Sequence, residues 1–107
     1  MRTLKLVVDG YKIKYDDSNS DFSRSKAEMG KPLKIEVIFP PEWDRAVKVM
    51  AFYDRDHKEC KPQVIENNSC MVPKEALKEY VFYVQILGKK NGKILETDKK
   101  SIRQIGG

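Results

Sequence analysis

The one histidine of the chain, His57, has Asp54, Asp56 and Glu59 for neighbours, and carboxylates beside an imidazole are the raw material of general base catalysis. All four fall in a single polar turn with no apolar residues to build a pocket round them, so they read as a solvated loop. His57 and Cys60 have a spacing that metals use, but structural zinc takes four ligands, and Cys70 alone does not complete the set. Asp16, Asp17 and Asp21 carry calcium-type oxygens, yet their spacing lacks the Gly and the bidentate Glu of an EF-hand loop, and they read as turn residues. The expectation is a chain with no catalytic residues, no metal ligands and no cofactor-binding residues. It is expected to be no enzyme, with no cofactor and no small-molecule substrate.

A non-catalytic reading turns attention to surfaces. The formal charge is +5 and the pI is about 9.2, which favours approach to nucleic acid, anionic lipid or an acidic protein. From residue 88 onward, Lys89, Lys90, Lys93, Lys99, Lys100 and Arg103 face only Glu96 and Asp98, so this is the basic end. Tyr80, Phe82 and Tyr83 lie close to it, and rings interleaved with lysines can take single-stranded nucleic acid. Their strand is apolar on both faces, however, which spends the rings on a core. Trp43, following Pro40-Pro41-Glu42, reads as core packing at a strand edge rather than as an exposed anchor.

The elements that must position these residues are strands. With 107 residues, 40% of them apolar and 35% charged, the chain fits one domain with one core. Its apolar runs are far shorter than the roughly 20 residues of a bilayer span, and no signal peptide or membrane segment is expected. Leu4, Leu6 and Val8 alternate with polar positions, as do Tyr11, Ile13 and Tyr15, with the phase flipping at Asp9-Gly10. A two-residue Asp-Gly turn would set Val8 opposite Tyr11, Leu6 opposite Ile13 and Leu4 opposite Tyr15, at the expense of facing Lys5 with Lys14; the alternative is a single kinked edge strand. Residues 16–32 are polar and read as a long exposed loop. Leu33 to Phe39 alternates until Pro40-Pro41 stops it, and Val47 to Tyr53 is apolar on both faces, as a central strand would be.

Asn67-Asn68 reads as a two-residue hairpin loop pairing Glu66 with Ser69 and Ile65 with Cys70. Cys60 then lies about 17 Å from Cys70 at about 3.4 Å per residue. A disulfide needs Cα atoms closer than about 7 Å, so both thiols are expected to be free, as in a reducing cytoplasm. Residues 74–78 predict about one helical turn led by Pro73. Tyr80 to Leu87 is the longest strand, Gly88 to Gly92 a turn, and Lys93 to Thr97 and Ser101 to Ile105 a last pair of strands with a bulge. About seven short strands with turn residues between them predict an all-β fold, an immunoglobulin-like antiparallel β-sandwich spanning residues 1–107.

A further pattern runs from Ile35 onward: Ile35-Glu-Val-Ile-Phe39, Pro41-Glu-Trp-Asp44, Lys48-Val-Met-Ala-Phe52, Asn68-Ser-Cys-Met-Val-Pro73, Glu75-Ala-Leu77, Tyr80-Val-Phe-Tyr-Val84, Leu87-Gly88. It resembles the small immunoglobulin-like modules of tailed-bacteriophage structural proteins, in head-fibre, decoration, baseplate and tail-fibre components. The chain departs from them in its longer polar connection at 16–32 and in the extra lysines of Gly88 to Gly92. The resemblance implies a virion protein, made in the host cytoplasm, that attaches in many copies to a phage capsid or tail protein. Read from the residues themselves, Trp43, Phe52, Cys70, Leu77 and Phe82 are expected to be structural core, with Cys70 inward opposite Ile65, and the positive charge of the Lys-rich hairpin makes Lys89, Lys90 and Lys93 the expected partner-binding residues. The alternative is a small basic nucleic-acid-binding protein; no membrane partner is expected.

Overall fold

The computed structural model describes residues 2–16 and 29–104, so most of the 16–32 connection, with Asp17 and Asp21, lies outside the described residues, as does Ile105. The strands are β1 (Arg2–Asp9), β2 (Lys12–Tyr15), β3 (Leu33–Ile38), β4 (Val47–Tyr53), β5 (Gln63–Val64), β6 (Ser69–Met71), β7 (Val81–Lys90), β8 (Lys93–Glu96) and β9 (Lys100–Arg103). A 3-10 turn, Pro41–Trp43, precedes β4, and a four-residue helix α1, Lys74–Leu77, follows β6. Sheet A has the order β2-β1-β3-β6; sheet B has the order β5-β4-β7-β8, with β9 also on β7. Their inner faces share one apolar layer, giving the β-sandwich that the alternating pattern predicts.

One pairing departs from the antiparallel expectation: β1 and β3 run parallel, from Arg2 opposite Leu33 to Val7 opposite Ile38. Parallel neighbours need a long crossover between them. Here β2 and the polar stretch after it supply that length, which alternation within single strands does not encode.

The first hairpin also takes another register. Asp9 pairs with Lys12, Val8 with Ile13 and Leu6 with Tyr15, so the loop is Gly10-Tyr11 and Tyr11 is 66% exposed. Gly10 has φ +63 at the first loop position, the place a type II′ turn reserves for glycine. This register avoids facing Lys5 with Lys14 and instead brings Lys14 Nζ to 2.9 Å from Asp9 Oδ2. The hydrogen bond and charge of Lys14 hold the Asp9 carboxyl below its usual range.

At Asn67-Asn68 the expected loop forms: Glu66 and Ser69 exchange backbone hydrogen bonds of 3.0 Å, and both asparagines have positive φ, as a type I′ turn requires. Pairing stops there. β5 joins β4 in sheet B and β6 joins β3 in sheet A, so Cys70 lies opposite Ile35 and not Ile65. The hairpin laces the two sheets together instead of extending one of them.

The irregularity of the last stretch sits at Thr97. Its N–H donates to Ile86 O at 3.0 Å, while its Oγ1 accepts the Ile86 N–H at 2.9 Å in place of a backbone carbonyl. The chain then resumes as β9, so β8 and β9 share the same side of β7.

Trp43 is buried, with its ring 5.4 Å from that of Phe39 and its edge against Gly88. A Cβ on Gly88 would lie 2.8 Å from Trp43 Cζ3, inside van der Waals contact. At the other end, Gln104 Nε2 donates to Leu77 O and Glu79 O, and Arg2 Nη2 donates to Gln104 Oε1 and Lys31 O. Gly88→Ala is expected to cost about 1–3 kcal/mol through overpacking. Gln104→Leu, which strands two buried carbonyls, should cost about 1–3 kcal/mol. Urea unfolding followed by Trp43 fluorescence measures both.

Candidate docking face

The groups whose types could do chemistry are dispersed. Asp54 spends its carboxylate on its own turn, accepting the backbone N–H groups of Asp56 and Lys58 at 2.9 Å. His57 follows with φ 62 and lays its exposed imidazole on the Tyr83 ring, centroids 4.2 Å apart. Among the described residues no group of three or more His, Cys, Asp or Glu is placed to hold a metal. A shallow cleft of about 520 Å³ on the outer face of sheet A gathers Lys5, Asp16, Lys34, Glu36 and Ser69, but no nucleophile and base in contact.

Both cysteines are free. Cys70 Sγ rests 3.8 Å from Met50 Sδ inside the core, and burial pushes its thiol up to about 12. Burial, then the charges of Asp54 and Glu75, raise the half-buried Cys60 thiol. Neither has the lowered pKa of a reactive cysteine.

The described aromatic side chains divide between core and surface. Phe52 and Phe82 meet inside, centroids 6.3 Å apart, and Leu77, Trp43 and Cys70 are buried as well. Tyr53 and Tyr83 lie outward on sheet B, opposite one another. Each is covered by the chain itself, Tyr53 by Lys99 Nζ at 3.8 Å and Tyr83 by His57. Of the tyrosines of this region, Tyr80 is the one left largely open.

Lys89, Lys90 and Lys93 do come together. β7 runs on to Lys90, so the turn narrows to Asn91-Gly92, both with positive φ, and Lys90 faces Lys93 directly. Lys90 points toward the inner side and ties back to Glu42 O at 3.3 Å. Lys89 stands on the outer face between Val47 and Ile94, and Lys93 is exposed at the tip.

Beside these lysines lies a feature that sequence reasoning misses. Residues opposite one another in a ladder share a face. One outer row of sheet B therefore reads Val47, Lys89, Ile94, and the next Val64, Val49, Leu87, Glu96. Val47, Val64 and Ile94 are 68%, 58% and 74% exposed, so this end of the face is an apolar patch in water. The signal was present in the two-faced apolar pattern of Val47 to Tyr53, which reads as centrality within a sheet. β4 is indeed interior to sheet B, but among the described residues no layer covers its outer side.

A thiol whose folded-state pKa is raised disfavours ionisation only while the chain is folded. From pH 9 to about 12 the unfolded chain loses that proton first, so wild type should lose stability relative to Cys70→Ala as pH rises through this window. Paired urea titrations at several pH values check this, and native Cys70 should resist a thiol reagent at pH 8 until the protein unfolds. No family model, no curated protein and no solved structure matches the chain, so its faces are read from their own chemistry.

Proposed function

We propose that the chain is a non-catalytic attachment module, an immunoglobulin-like sandwich carried in many copies on a phage virion and fixed to a capsid or tail protein. The resemblance from Ile35 to Gly88 supports the virion setting, and the two-sheet sandwich is the architecture it implies. The observation that carries attachment is the outer face of sheet B, where exposed Val47, Val64 and Ile94 adjoin Lys89, with Lys93 exposed at the neighbouring hairpin tip. An apolar centre with a charged rim is the anatomy of a protein interface, and a large exposed apolar patch is a cost that a binding role accounts for. The lysine rim selects an acidic partner surface and steers the approach to it. Once docked, the patch leaves water and holds the complex.

Lys89→Glu, Lys90→Glu and Lys93→Glu together are expected to lower occupancy on purified particles by about tenfold or more, since like charges facing each other cost at least about 1.4 kcal/mol. Lys89→Glu with Lys93→Glu, which leaves the Lys90 tether in place, should act in the same direction. Quantitative mass spectrometry of the particles measures both, and unchanged occupancy rejects the reading. A nucleic-acid affinity that falls steeply between two ionic strengths in a gel-shift titration would favour the small basic nucleic-acid-binding protein instead.

A further inference from the structure

The margins of the sandwich are unevenly guarded. The edge strand β2 carries Lys12 and Lys14, a common protection against unwanted strand pairing, and the loop after β8 ties it down. There Asp98 N–H donates to Tyr11 O at 2.9 Å, and Asp98 Oδ1 accepts the Ile13 N–H at 3.4 Å. Tyr15 Oη donates to Ser101 O at 3.3 Å across the seam to β9. The outer edge of β8 has no strand partner among the described residues.

Hydrogen-bond phase shows what that edge offers. The two-residue Asn91-Gly92 loop makes Lys90 and Lys93 a hydrogen-bonded pair, and such pairs alternate along an antiparallel ladder. Thr97 N–H on Ile86 O keeps the same phase. Lys93, Leu95 and Thr97 therefore bond toward β7, while Ile94 and Glu96 turn their N–H and C=O groups outward. At the centre of this open edge stands Ile94, an exposed apolar side chain where a guarded edge would carry a charge.

The residue order of β8 identifies an occupant. It reads Lys93-Ile94-Leu95-Glu96, basic at its start and acidic at its end. An antiparallel copy of the same strand sets its Glu96 opposite Ile94 on the outer face, where Lys89 lies one strand further in. We propose that two copies of this chain pair antiparallel along β8, with Ile94 opposite the second copy's Glu96 and a two-fold axis between the two Leu95 residues. In this register all four outward-turned residues, two from each copy, exchange backbone hydrogen bonds. Directly opposite residues share a face, so each Ile94 packs against a Glu96 stem, and Lys89, on the far side of Ile94, faces the second copy's carboxylate, one oxygen of which accepts from that copy's own Gln85 Nε2 at 2.8 Å. Sheet B becomes one continuous sheet through both molecules, a closed and self-complementary contact. A foreign strand would need an acidic residue at this same position, within reach of Lys89, to fit as well.

The contact is short compared with the roughly 1,600 Å² of a standard stable interface, so pairing belongs at roughly 10–500 µM. Sedimentation equilibrium of the full chain across that range tests it. The mass is expected to rise from 12.4 kDa toward twice that value. Ile94→Pro, which removes an edge N–H not used by β7, should weaken pairing at least about tenfold while leaving the melting temperature nearly unchanged. Glu96→Lys should weaken it, and adding Lys89→Glu should restore it. A single-chain mass at the highest concentration overturns the proposal. So does pairing by a folded Ile94→Pro chain equal to wild type, or a charge-swap pair that behaves no differently from Glu96→Lys alone.

Discussion

Strand β7 meets three partners at once, and the inward row Phe82, Val84 and Ile86 is the contact on which the rest of the molecule depends. Along one side it pairs with β4 for seven residues; along the other it holds β9 and then β8. The inward row belongs to the same apolar layer as Leu4 and Leu6 of β1 and Ile35 of β3. Burial of that layer is the main favourable term available to a sandwich of this size. The lateral lacing by the Asn67-Asn68 hairpin and by Asp98 is secondary, because those bonds exchange water for protein partners at modest net gain.

The two ends of the sandwich are closed by different physics. At one end Trp43 fills the space that the missing side chain of Gly88 leaves open, a fit of shape alone. At the other, a buried guanidinium and a buried amide replace apolar filling, and Gln104 answers the carbonyls that α1 and the following turn leave exposed. The plug is specific at Gln104, because displacing its amide leaves the Leu77 and Glu79 carbonyls without their side-chain donor.

Much of this was legible in the residues, for identifiable reasons. Period-two alternation located β1 and β3, a two-faced apolar run located β4, and Asn67-Asn68 announced its turn, because these signals are local. The β1–β2 register was misread because an Asp-Gly pair is a strong turn signal, and the competing attraction between Asp9 and Lys14 depends on the register itself. The parallel pairing of β1 with β3 and the divergence of β5 from β6 are decisions between distant segments, which local patterns do not record. The lysine trio was found from charge. The apolar patch beside it was not, because an apolar residue on the outer face of a central strand looks the same in sequence as one facing a second layer.

The polar plug also orders events in time. Arg2 is held by Gln104, 102 positions later along the chain, and β9 is the final strand of sheet B. During synthesis, β1 and β3 therefore leave the ribosome with their inner faces uncovered. Until β7 and β9 follow, nothing can seal that end. Contacts of such long sequence separation slow folding, and they lengthen the interval in which nascent strands can pair wrongly. A chain built this way gains from the charge spread along its edges well before it is folded.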